Sequence, residues 1–288
     1  MSALGVAAAA AHFGRDLEED LRQVEVLVDR ARSQGVGLLA LPEASLGGYL
    51  SALGRGRDGT HDETPESLPP VLDVDGPELR RVAEIAREMT VVIGFCEADG
   101  DQRYNSAAAV TGEGVLSVYR KVHQPLGEDL VYAPGSEMRA FDSPVGRIGM
   151  LICYDKAFPE AARQLALDGA DVVACISAWP GSRTGSPVPL AEDRWTHRFN
   201  IFDQARALEN QVVWLAANQT GTFGSLRFVG NAKVVGPGGE VLATTGVDAG
   251  LATASVDVQE LLEGARRSMF HLRDRRPDLY LEPEASHA

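Results

Sequence analysis

The chain has 288 residues, enough for one large domain or two modest ones, either able to bury a substantial core. Its 44% hydrophobic and 24% charged residues belong to a globular protein rather than a disordered one. A net charge of −14 argues against a sequence-independent grip on nucleic acid or anionic membrane, and no apolar run reaches the roughly 20 residues of a spanning helix.

The opening "MSALGVAAAAAHFG" lacks a basic n-region and reads as a first strand rather than a signal peptide. In "DLEEDLRQVEVLVDRARSQG", Leu17, Leu21, Val24, Val28 and Ala31 recur at helical spacing. Asp16 is placed to cap this helix, acids fill its first turn, arginines its last, and Gly35 ends it. "VGLLALPE" follows as a buried strand stopped by Pro42. The irregular insertion from Gly54 to Pro70 contains "GRGRDG", which matches a dinucleotide-binding spelling. It neither follows a strand nor opens a helix, so a loop is expected there.

A helix from Pro77 to about Glu88 precedes the strand "TVVIGFCE". "NSAAAVT" and "VLSVYRK" read as paired strands joined by "GEG". "RIGMLICYD" is a strand, "FPEAARQLALDG" a helix, "ADVVACISAW" a strand, "DRWTHRFNIFDQARALEN" a helix and "QVVWLAAN" a strand. "GNAKVVGPGGEVLATTG" reads as a hairpin, and "LATASVD" closes the strand set. Helices alternating with apolar strands, plus hairpins, indicate an α/β fold with mixed sheets. No composition break marks a linker, so residues 1–288 are expected to form a single domain.

Three polar residues end apolar runs. Glu43 follows "LLALP", Lys121 follows "VLSVYR", and Cys153 follows "IGMLI". Strand ends of open α/β sheets form the crevice where ligands bind. Singly, each has a plainer reading: a cysteine in such a run is commonly inert core, as expected for Cys96 and Cys175, and the other two could be solvated surface groups. Together their chemistries are complementary. A thiol needs a base, which a carboxylate in a poorly hydrated pocket can be, and an ammonium can hold a developing oxyanion. A cysteine–histidine pair through His123 stays open, whereas the absence of a Gly-x-Ser-x-Gly elbow leaves a serine esterase without support. The six histidines lack the short spacings of a metal site, and the three cysteines suggest neither zinc nor a disulfide framework but a cytoplasmic setting.

"LLALPEASLGGY", "YRKVHQP" and "ICYDKAFPE" resemble, in order, the three signature blocks of the nitrilase (carbon–nitrogen hydrolase) superfamily. Weaker blocks agree at "YNSA", "EDLVYAPG", the hairpin, and the tail "LRDRRPDLY", so the likeness spans nearly the whole chain. It implies an αββα four-layer sandwich with two mixed β-sheets. It also implies protomers that pair through helices near the active site, with a tail from about residue 270 to 288 reaching the partner. Cys153 would be the nucleophile, Glu43 the general base, and Lys121 with the backbone N–H of Tyr154 the oxyanion holder; Glu128 would position substrate and lysine. Ala232, where the family usually has serine, and the absence of a polar residue at the end of the first strand are departures that leave these groups untouched.

The resemblance implies hydrolysis of a small carboxamide to acid and ammonia through a thioester, with no cofactor and no metal. True nitrilases usually carry tryptophan after the cysteine; Tyr154 here favours amides, as in the amidase and ω-amidase-like branches. An N-carbamoyl amidohydrolase is the alternative, then a nitrilase. A partner-dependent or scaffold subunit is the non-enzymatic alternative, disfavoured because all three signature residues are kept. Tyr49, Tyr154, Phe158 and Trp179, with Trp195, are candidate pocket walls, and the Pro/Gly-rich stretch after Trp179 is a candidate lid. A small-molecule amide and a second copy of the chain are the expected partners, with neither nucleic acid nor membrane among them.

Overall fold

Alternation along the first strand sets the layering. In the computed structural model, which describes residues 3–54, 67–182 and 188–280, β1 (Leu4–Ala11) sends Val6, Ala8 and Ala10 into one apolar cluster and Ala7, Ala9 and Ala11 into another. This is the period-2 geometry of a strand buried on both faces. α1 (Leu17–Ser33) packs Val24, Leu27, Val28 and Ala31 onto the second cluster. Asp16 caps it by accepting from the N–H groups of Glu18 and Glu19. β2 (Val36–Ala40), α2 (Pro77–Ala86) and β3 (Thr90–Asp99) repeat the pattern, and β4 (Gln102–Thr111) and β5 (Gly114–Arg120) continue the sheet by hairpins.

The second half comprises β6 (Phe141–Ser143), β7 (Gly146–Ile152), α3 (Pro159–Leu167), β8 (Val172–Ser177), α4 (Arg194–Asn210) and β9 (Val213–Gln219). A small ribbon of β10 (Thr222–Phe223) and β11 (Leu226–Arg227) follows. Then come β12 (Lys233–Val235), β13 (Val241–Thr244), β14 (Gly250–Val256) and α5 (Val258–Ser268). α5 and β6 went unmarked in the sequence reading.

Hydrogen bonding orders the strands β5-β4-β3-β2-β1, with β14 antiparallel on β1, and β9-β8-β7-β6, with β12 antiparallel on β9 and β13 on β12. Among the described residues, strand pairing joins the two halves only where Ala10 and Ala11 of β1 meet Asn218 and Gln219 of β9. Side chains of both halves (Leu38, Val92 and Ala107 from one; Met150, Ile152 and Ala216 from the other) share one apolar cluster, which also takes Leu165 of α3 and Phe199 of α4. α1 and α2 cover the other face of the first half. The result is the αββα sandwich, with its two mixed sheets still stitched at one corner.

β1, β2 and β3 are parallel, as are β1, β9, β8 and β7, and two antiparallel steps bring β5 into the same direction. The C-terminal ends of β2, β5, β7 and β8 therefore open at one edge of the molecule. Residues 55–66, which hold most of "GRGRDG", residues 183–187 of the candidate lid, and residues 281–288 of the tail lie outside the described residues. No helix of the described residues is long and apolar enough to cross a membrane.

Candidate active site

Each candidate follows a strand that ends at this edge. Glu43 lies just beyond β2, and its main chain is pinned by Ser177 O to its N–H (3.3 Å) and by Gln219 Nε2 to its carbonyl (2.9 Å). Gly94 of β3 makes room for it: a Cβ there would stand 2.4 Å from Ala44 N and 2.8 Å from Glu43 Cα. Lys121 follows β5, with its N–H on Asn105 O (2.8 Å). Glu128 opens a 3₁₀ turn, Glu128–Leu130. Cys153 follows β7 directly and starts a second 3₁₀ turn, Cys153–Ala157, with φ of 52°. That left-handed conformation is rare for a residue with a Cβ and stores strain at the bend.

The side chains converge. Lys121 Nζ donates to Glu43 Oε1 and to Glu128 Oε1, both at 2.8 Å. Glu43 Oε1 also accepts from Asn105 Nδ2 (2.7 Å), and Glu43 Oε2 from the N–H of Ala178 (2.6 Å). Tyr49 donates its hydroxyl to Glu128 Oε1. Glu43, Lys121 and Glu128 are all within 1% of complete burial. Glu128 Oε2 is buried with no hydrogen-bond partner among the described residues, an acceptor left open beside the ammonium.

Burial sets the protonation states. It pushes the Glu128 carboxyl up to about 7, against the pull of Lys121 and with the push of Glu43. Burial also draws Lys121 down, but the carboxylates of Glu128 and Glu43 outweigh it and hold the ammonium above its ordinary range. The Cys153 thiol is raised well above its usual value by burial and by the Glu43 charge, with Lys121 opposing. Cys96 and Cys175 are also buried, and burial raises them to about 11 and about 12.

Cys153 borders a cavity of about 400 Å³ together with Tyr49, Tyr154, Ala178, Trp179 and Trp195. Tyr49 and Ala178 thus face the cavity while binding the two carboxylates behind it. Trp179 is held by Asn218 Oδ1 on its backbone N–H (2.8 Å) and by its own Nε1 on Trp195 O (3.1 Å). Phe158, expected as a wall, is not among the residues lining the cavity. Its ring stacks on His123 at 3.8 Å and meets Tyr154 edge-on at 5.1 Å, because the turn after Cys153 carries it back toward β5. His123 binds Asp155 (2.8 Å) rather than pairing with Cys153.

Asn105 and Ala178 complete the hydrogen bonding of Glu43, and sequence reasoning had not singled them out. Asn105 stands in the quoted block "YNSA", a signal that could have found it; Ala178 acts through its backbone and leaves no side-chain signal. Among the described residues, no group of three or more His, Cys, Asp or Glu could hold a metal ion.

The carbon-nitrogen hydrolase family model matches residues 5–266. The chain belongs to the carbon-nitrogen hydrolase family. A nitrilase from Pyrococcus abyssi is 30% identical over 269 residues, covering 91% of this chain and 93% of the relative. An N-carbamoylputrescine amidase from Solanum tuberosum is 30% identical, over 92% of this chain and 89% of the relative. Among solved structures, a glutamate-to-glutamine variant of the amidase from Nesterenkonia sp. AN1 superposes with a TM-score of 0.74 at 26% identity, covering 96% of this chain and 95% of that one. That structure shows covalent addition of the acetamide moiety of fluoroacetamide at the active site cysteine. The carbon-nitrogen hydrolase fold is thus shared with that amidase.

Proposed function

We propose that the chain is a thiol-dependent amidase that converts a small carboxamide to a carboxylic acid and ammonia. The observation that carries this reading is the fully buried Glu43–Lys121–Glu128 cluster, set directly behind a cavity whose wall includes Cys153. As the Cys153 sulfur attacks the carbonyl carbon, its proton passes to Glu43, so no standing thiolate is needed. The C=O electron pair moves onto oxygen, where Lys121 and the N–H of Tyr154 hold the negative charge; one such donor contributes about 3–4 kcal/mol to lowering the barrier. Collapse breaks the C–N bond, the nitrogen takes the proton from Glu43, and ammonia leaves a thioester. Glu43 then draws a proton from water, which cleaves the thioester and returns the thiol. Glu128 Oε2, buried and without a hydrogen-bond partner among the described residues, is suited to accept an N–H of the substrate amide.

N-carbamoyl compounds are the second reading, supported by relatives named N-carbamoylputrescine amidase. Ammonia release from a panel of amides, N-carbamoyl amines and nitriles tests the proposal. Amides are expected to lead, and a panel giving turnover only with nitriles would refute it.

A homodimer fits the same reading. Ile201 and Leu208 are seven positions apart on one face of α4 and are 48% and 46% exposed, an arrangement that suits a helix face covered by a second copy. The exposure of Leu279 and Tyr280 in the tail after residue 270 supports reading that tail as a further contact with the second copy. A cytoplasmic setting accords with three free, buried cysteines.

A further inference from the structure

Lys121 and Cys153 must meet at one carbonyl group, yet their strands are remote in the sheet. Between β5 and β7 lie β4, β3, β2, β1, β9 and β8, so the sheet's own hydrogen bonds fix their separation only through that whole series. Asp155 provides a direct route. It is fully buried, and both carboxylate oxygens are used. Oδ1 accepts from the backbone N–H of His123 (2.9 Å) and from its Nδ1 (2.8 Å). Oδ2 accepts from the hydroxyl of Tyr119 (2.7 Å) and from the backbone N–H of Ile152 (3.0 Å).

Three of these four bonds go to Tyr119 and His123, two residues to either side of Lys121. The fourth goes to Ile152, the residue immediately before Cys153. An aspartate that served only to close its own turn would need the Ile152 bond alone. His123 is held from a second side as well, because its ring stacks within 12° of parallel on Phe158, whose N–H bonds Asp155 O at 3.1 Å.

We propose that Asp155 is a positioning residue that holds the lysine segment in register with the cysteine turn, with Tyr119 and His123 as its contacts on the lysine side. It touches neither substrate nor the reacting atoms. Its effect is on the spacing of the ammonium and the sulfur, and a misplacement near 1 Å can cost about 100-fold in rate. The inference rests on the amidase reading for its kinetic test, and a second measurement is independent of that reading.

The test compares wild type with Asp155→Asn and Tyr119→Phe. Asp155→Asn puts an N–H₂ where two donors now point, and Tyr119→Phe removes one bond without changing shape. On an amide that the wild type hydrolyses, kcat is expected to fall about 100-fold for Asp155→Asn and less for Tyr119→Phe, with KM little changed. The losses should persist at temperatures far below each variant's Tm. Independently of any substrate, alkylation of Cys153 by iodoacetamide should slow at least several-fold in both variants, read by mass spectrometry of the peptide carrying Cys153. Retention of wild-type kcat and alkylation rate by Tyr119→Phe or by folded Asp155→Asn would overturn the proposal, as would a loss confined to KM. If Asp155→Asn does not fold, Tyr119→Phe alone decides. A wild type that hydrolyses no amide refutes the amidase reading and leaves the alkylation rates to decide on Asp155.

Discussion

At the scale of single residues, Glu128 is where pH acts most directly. Its carboxyl is raised to about 7 by burial, so it gains a proton as pH falls through neutrality. Turnover that needs the carboxylate should therefore decline as pH drops through about 7. Stability should move the opposite way: a folded pKa above the ordinary 4.5 stabilises the fold fully below that value, and this contribution is lost as pH rises through about 7. A kcat/KM profile beside a denaturation series across pH 5–9 reads both trends. In Glu128→Gln the acid limb should disappear along with most of the activity. The cysteines sort by the same logic: Cys153→Ala should abolish turnover, while Cys96→Ala and Cys175→Ala should keep it within a few-fold in a kinetic assay. Glu43, Lys121 and Cys153 could be picked out in the sequence because three complementary chemistries each follow an apolar run and stand, in order, in the blocks that resemble the family's signatures; singly, none was distinctive. The four donors around Glu43 were not all legible. A backbone N–H such as that of Ala178 belongs to every residue, and only the folded path of the chain aims it.

At the scale of elements, β3 crosses close under the Glu43 turn. Gly94→Ala places a methyl within 2.4 Å of Ala44 N, with backbone rather than a movable side chain in the way. The substitution should cost about 1–3 kcal/mol of stability and reduce kcat by shifting Glu43, read by urea denaturation and by kinetics on the same preparation. α1 was legible to its cap because amphipathic spacing and Asp16 agree. α5 was missed although Asp257 accepts from the N–H of Glu260 and Val258, Leu261, Leu262 and Ala265 follow helical spacing. Only Leu262 of that stripe is buried; the helix is an outer layer with little apolar content, appended directly to a strand. Phe158 shows the limit of residue type: an aromatic suggests a wall, but the tight turn after Cys153 stacks it on His123, away from the residues that line the cavity.

At the scale of the molecule, the layered α/β architecture followed from strand–helix alternation, and its two-sheet arrangement followed from the family resemblance. The seam between the halves did not. It depends on two residue pairs, Ala10 with Asn218 and Ala11 with Gln219, which no periodicity marks. The exposed apolar face of α4 belongs to this scale too. Ile201→Glu combined with Leu208→Glu should convert a dimer to monomers in sedimentation velocity while leaving the monomer folded, and an unchanged sedimentation coefficient would set that assembly aside.

The central claim is that Cys153 forms an acyl intermediate with loss of ammonia. The most direct measurement is the intact and peptide mass of enzyme quenched in acid during turnover of an amide. The account predicts an added acyl group on the peptide carrying Cys153, absent from Cys153→Ala. Ammonia release without any adduct at Cys153 in the wild type and undiminished in Cys153→Ala, or an adduct on Cys96 or Cys175 instead, would contradict it.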